Sequence, residues 1–241
     1  MIRKISIWPV LLVFLLALNS MAAEDSLQKG LAAQKAGQPQ QAADLLGQFL
    51  KEKPDSVPAR LALAKSLADL NKKNEALAIL DEGLAKTPDN VPLLLAKGGA
   101  LAGLERREQA IEVFSQVLKL DPKNVEALKE RGESLNYLGR FPEALADLNQ
   151  AAKLAPQDSW VFNKRGMVYF CQGDYQKAVA DFSQAIRVGP DVPHSYFFRA
   201  NIYLHHLHQK DQAMADYRKG CRLGHPLSCR ELEKLGGKAD K

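Results

Sequence analysis

The chain has 241 residues, 46% hydrophobic and 25% charged, with a net charge of +5. That balance excludes a disordered chain and one that spans a membrane throughout. Basic residues are mixed with acidic ones, as in Glu105-Arg106-Arg107-Glu108, so the clustered basic stripe of a nucleic-acid surface is missing and no nucleic-acid partner is expected.

Residues 1–22 read as a secretory signal peptide. Arg3-Lys4 supply the basic start, Ile5 to Leu18 the apolar run, and Ser20, Ala22 and Ala23 the small residues of a cleavage site. The run of 14 residues is short of the ~20 that span a bilayer. Cleavage falls after Ala22 or after Ala23; retention as an uncleaved anchor is the alternative. No cysteine follows the run, so a lipid anchor is not supported. Loss of Arg3 and Lys4 would leave +3. The expected location is the periplasm or the exterior of the cell. After the leader no further transmembrane segment is expected.

From residue 23 onward the chain repeats itself. Pro54, Pro88, Pro122, Pro156 and Pro190 fall 34 residues apart. Ala42, Ala76, Ala110, Ala144 and Ala178 keep the same step, as do the small residues Gly30, Ala64, Gly98, Gly132 and Gly166. Four places after each alanine stands a large apolar residue: Leu46, Leu80, Phe114, Leu148 and Phe182. Five units tile 23–56, 57–90, 91–124, 125–158 and 159–192. A sixth, 193–227, carries one inserted residue at its internal turn. The stretch Ser159 to Val192 is the clearest: two short amphipathic helices meet where Gly166 and Ala178 allow close approach. This pattern resembles the tetratricopeptide repeat, a 34-residue helix–turn–helix unit. The resemblance implies an all-α fold, a right-handed superhelix (α-solenoid) of six helical hairpins, with residues 228–241 forming a C-terminal capping helix and tail.

Local chemistry agrees with the period. Ser56, Asn90, Asn124 and Asp158 end successive units and can cap the next helix, each worth about 1 kcal/mol. Pro58 and Pro92 fall in first turns, where a missing N–H costs little. Gly37, Asn71, Gly139 and Gly173 occupy the internal turns, where a left-handed residue is needed. Phe162, Tyr169, Phe182, Tyr196, Tyr203 and Tyr217 take packing positions.

In the family the concave face is lined by first-helix positions 2, 5, 9, 12 and 13. In repeat four these are Glu126, Lys129, Glu133, Asn136 and Tyr137; in repeat five Trp160, Asn163, Met167, Phe170 and Cys171; in repeat six His194, Phe197, Asn201, Leu204 and His205. Repeats two and three supply blander residues. The resemblance therefore implies a protein or peptide partner held by Tyr137, Trp160, Asn163, Phe170, Phe197 and Asn201, aromatics giving rigid area and asparagines bonding a partner's backbone. Relatives that clamp a chaperone's terminal carboxylate use lysine, arginine and asparagine where this chain has Leu27, Leu31, Ala62, Pro92 and Ala96, so that activity is not expected.

Cys171 stands alone and reads as a buried free thiol. Cys221 and Cys229 lie eight apart. In an oxidising compartment they can close as a disulfide; otherwise they remain reduced in the core. The tail resembles cysteine-bearing helical repeats of some secreted bacterial proteins with the same spacing. Ser228 and Glu231 read as a capping box that starts the last helix. His205, His206 and His208 cluster at the last internal turn, which supports an alternative function as a small-ligand or metal-binding module; no ligand signature completes a metal site. No glycine-rich phosphate loop, nucleophile elbow or H-E-x-x-H occurs, so no catalytic residue, enzyme activity or cofactor is expected. The expected role is an exported protein-interaction scaffold or assembly factor. The composition leaves the oligomeric state open.

Overall fold

The computed structural model describes residues 25–238; the leader expected over residues 1–22, with its cleavage sites, lies outside them. The described residues form helices and no strand. In chain order these are α1 (25–35), α2 (Pro39–Glu52), α3 (Val57–Asp69), α4 (Lys73–Lys86), α5 (Val91–Gly103), α6 (Arg107–Leu120), α7 (Val125–Tyr137), α8 (Phe141–Leu154), α9 (Ser159–Cys171), α10 (Tyr175–Val188), α11 (Pro193–His205), α12 (Lys210–Arg222) and α13 (Pro226–Lys234). The chain divides into two compact units, Met1–Val113 and Phe114–Lys241, with the division inside α6.

The helices start and stop where side chains satisfy free backbone groups. Ser56, Asn90 and Asn124 accept the N–H three residues on, and Asp158 accepts that of Trp160 at 2.9 Å. Each internal turn holds one residue with positive φ. Gly37, Asn71, Gly139 and Gly173 do so as expected, and the inserted residue of the last hairpin puts His208 there (φ 56°). Glu105 (φ 61°) fills the same place in the third hairpin, although glutamate gives no sign of it.

In the first unit α1 packs on α2, and α3 on both α2 and α4. Gly30 shows why a small residue recurs: a Cβ added there would lie 2.8 Å from Leu46 Cγ. Arg60 is buried and satisfied, donating to Ile79 O, Pro54 O and Glu82 Oε2.

The second unit repeats the small-against-large device, with Gly132 facing Leu148 and Gly166 facing Phe182. Phe114, Leu148, Phe182 and Tyr217 are fully buried, each from one second helix. A ladder of ion pairs, unforeseen in the sequence, runs beside this core. Arg131 grips Asp147 with two bonds of 2.7 Å, Arg165 grips Asp181 at 2.8 and 2.7 Å, and Arg199 grips Asp216 at 2.7 and 2.8 Å. The remaining guanidinium nitrogen reaches the preceding hairpin, donating to Ser115 Oγ, Asn149 Oδ1 and Ser183 Oγ respectively. Each arginine thus ties a first helix to its own second helix and to the one before.

The C-terminal helix starts earlier than the sequence suggests. Pro226 occupies N1 of α13, and the N-cap is His225, whose Nδ1 accepts the Ser228 N–H at 3.2 Å. Proline's fixed φ sets the start there. Ser228 is therefore inside the first turn, fully buried, and the Ser228–Glu231 capping box does not form; Glu231 pairs with Lys234 instead. Leu232 packs on Ala200, Ala213 and Tyr217. Cys221, in the last turn of α12, is joined to Cys229 of α13 with Cα atoms 4.7 Å apart.

The histidine cap is expected to make this end pH-sensitive. Burial pushes the His225 pKa below the ordinary histidine value, and neighbouring His194 adds to the effect. Only the neutral ring can accept at Nδ1. A depressed folded pKa means the unfolded chain takes up the proton first as pH falls below about 6.5, so stability present above that value declines down to the folded pKa. Amide protection in α13 is expected to drop between about pH 7 and pH 5. His225→Asn, which keeps an acceptor that does not titrate, is expected to flatten that profile. Equal protection at both pH values in the native chain would refute the effect.

Candidate functional site

The six residues singled out as partner-binding all lie in the second unit. They come from the three consecutive first helices α7, α9 and α11, and α7 packs directly against α9. Trp160, Asn163, Lys164 and Met167 share one face of α9 by helical spacing, as do Glu126, Lys129, Glu130, Glu133 and Tyr137 on α7.

Two of the six present large rings to solvent: Tyr137 is 64% exposed and Trp160 46%. The others are engaged inside the fold. Phe170 is half-buried against Ala178, Phe182 and Ile202, with its ring 5.7 Å from His206 and 6.0 Å from Tyr175. Phe197 packs on the core under α13, 4.7 Å from the His225 ring. Asn201 has both amide groups occupied: Nδ2 donates to Phe197 O, and Oδ1 accepts the Tyr217 hydroxyl at 2.9 Å. The expectation that Asn201 bonds a partner's backbone meets this competition. Burial pushes the Tyr217 hydroxyl pKa up to about 12, with Glu231 adding to it, so the hydroxyl stays protonated and donating. Asn163 is only 5% exposed; Nδ2 donates to Ser159 O, while Oδ1 has no partner.

Trp160 and Phe197 are linked through histidines. The Trp160 ring is 5.9 Å from His194, and His194 is 5.1 Å from His225. Cys171, expected to be buried, is exposed: it is the last residue of α9, where the chain leaves the helix for the turn. His206 stacks on Tyr175 with centroids 3.9 Å apart, and no group of three metal-ligating side chains occurs among the described residues.

A charged layer accompanies the exposed rings. Lys129 Nζ lies 2.7 Å from Glu126 and 3.0 Å from Asp158, the residue that caps α9. Lys164 Nζ lies 2.8 Å from Glu130 and 2.5 Å from Glu133, bridging α9 to α7. Burial works against both ammonium charges, but the flanking carboxylates outweigh it and both lysine pKa values are raised. Lys164, Glu130 and Asp158 were missed at the sequence level because the family's face positions omit them; the run Glu126-Lys129-Glu130-Glu133, spaced three and four apart, was the available sign.

The first unit offers a plainer face. There α3 and α5 line a shallow cleft with Leu61, Ala64, Ala68, Ala96 and Gly99.

Models of the tetratricopeptide repeat match residues 33–98, 95–159 and 159–192, together more than half of the chain. The chain belongs to the tetratricopeptide-repeat family, whose fold serves protein–protein interaction. Solved structures share the fold. TTC0263, a thermophilic tetratricopeptide-repeat protein of Thermus thermophilus, is 23% identical with a TM-score of 0.65, the match covering 76% of this chain and 99% of that one. A tetratricopeptide-repeat protein from Parabacteroides merdae is 18% identical with a TM-score of 0.65, covering 89% and 98%. MamA from Desulfovibrio magneticus is 22% identical with a TM-score of 0.59, covering 68% and 92%. No curated protein sequence matches the chain.

Proposed function

We propose that the chain is an exported scaffold or assembly factor that docks a protein or peptide partner on the first-helix face of α7 and α9. One observation carries this reading: Tyr137 and Trp160, two large rings, stand 64% and 46% exposed on that face while other aromatics of the unit pack inward. Exposed aromatics of this kind act as anchors in interfaces. Export is supported by the leader pattern of residues 1–22 and by a pair of cysteines placed to close in an oxidising compartment. The proposed location is the periplasm or the cell exterior.

Crosslinking in the producing cell, followed by mass spectrometry, would identify the partner. Tyr137→Ala with Trp160→Ala is expected to weaken its capture at least ~10-fold, with the helical circular dichroism retained. Phe197 is a poor choice for this test because its removal would disturb packing under α13. Unchanged capture by the double variant would eliminate the docking face. Recovery of the chain only from the cytoplasm, with residues 1–22 attached, would eliminate export.

A further inference from the structure

We propose that the face of α7 and α9 receives a cationic peptide segment, lysine or arginine alternating with apolar residues; this rests on the docking reading above. The charges on that face are layered. Four carboxylates, Glu126, Glu130, Glu133 and Asp158, surround two ammonium groups, Lys129 and Lys164, and leave two negative charges uncompensated. The lysine side chains are nearly covered, 12% and 15% exposed, whereas Glu126 and Glu133 are 54% and 37% exposed. An approaching molecule therefore meets carboxylate oxygen. This acidic layer runs against the chain's net charge of +5.

The exposed polar groups of this face are carboxylates, Glu126 and Glu133 foremost, and they accept, so the complementary ligand must donate: an ammonium or a guanidinium. Trp160 adds a ring face that can take either a cation or an apolar side chain. From Glu126 to Tyr137 the α7 face runs roughly 16 Å at 1.5 Å per residue, room for about five residues of extended chain.

The test uses synthetic decapeptides on the purified protein: Lys-Leu, Ser-Leu and Glu-Leu repeats, with binding measured by calorimetry. The Lys-Leu peptide is expected to bind, and to weaken at least ~10-fold between 50 and 300 mM salt. Glu126→Gln with Glu133→Gln is expected to cost it a further ~10-fold, because these two glutamates are the more exposed and leave the Lys129–Asp158 and Lys164–Glu130 pairs in place. A control pair, Glu52→Gln with Glu233→Gln, removes equal charge elsewhere and is expected to change nothing. Equal binding of the Glu-Leu peptide, or equal loss in the control pair, would overturn the proposal. If Ser-Leu binds as well as Lys-Leu and only Trp160→Ala abolishes it, the docking face stands and its cation preference falls. If the crosslinked partner is retained by Tyr137→Ala/Trp160→Ala and no peptide binds, both fall.

Discussion

Asp181→Ala is expected to destabilise the protein by about 3–5 kcal/mol, although the residue touches no candidate binding group. Arg165 and Asp181 are both largely buried and joined by two parallel hydrogen bonds of 2.8 and 2.7 Å. The hydrogen bond to Asp181 outweighs burial and holds the Arg165 pKa above its ordinary value. Arginine cannot shed its charge to escape. Removing the carboxylate leaves that charge with Asn149 Oδ1 as its hydrogen-bond acceptor, in the space between two second helices. The matched variant Arg165→Met with Asp181→Leu removes the charge and the need for it together, and is expected to recover most of the loss. Urea midpoints followed by circular dichroism decide the matter. A single variant within about 1 kcal/mol of the native chain, or a double variant no better than the single, would show that the pair is peripheral.

Loss of the Cys221–Cys229 link is expected to cost about 2.5 kcal/mol, on the chain-entropy model for so short a loop. The effect should be local. Cys229 sits in the first turns of α13, and α13 brings Leu232 onto Ala200, Ala213 and Tyr217. Cys221→Ser with Cys229→Ser is expected to lower amide protection over residues 226–234 and to open Arg230 and Lys234 to trypsin. A thiol reagent should find one reactive cysteine, the exposed Cys171, before reduction and three after it. Three reactive thiols in unreduced protein, or unchanged protection in the double serine variant, would contradict this.

The fold was legible because each repeat states the same packing rule. Gly132 against Leu148 and Gly166 against Phe182 could be paired on paper from their constant offset, and the contacts follow that pairing. The capping residues Ser56, Asn90, Asn124 and Asp158 were legible for a similar reason, since their chemistry is local. Depth was harder to read. Register places Cys171 and Phe170 side by side, yet the first is exposed and the second half-buried, because His206 and Tyr175 cover only the latter. Competition between partners was not legible either. Asn201 reads as available in the sequence, but the Tyr217 hydroxyl occupies its oxygen, and Ser228 reads as a cap, but Pro226 sets the helix start before it. The Arg131, Arg165 and Arg199 series was written at the repeat period, but its meaning needed Asp147, Asp181 and Asp216 to arrive from another helix.

That series also bears on how such a chain can change length. The α7–α8 and α9–α10 hairpins each hand one oxygen forward, Asn149 and Ser183, and every hairpin from α7 onward turns one nitrogen backward to the hairpin before it. A tandem copy of residues 125–158 placed after Asp158 would meet the same demand at both of its seams, with Asn149 or its duplicate waiting for each incoming guanidinium. Partial duplications would strand a cation. Gene rearrangements that add or delete whole 34-residue modules are therefore the tolerated ones, and the count of hairpins is free to drift while the joints between them are not.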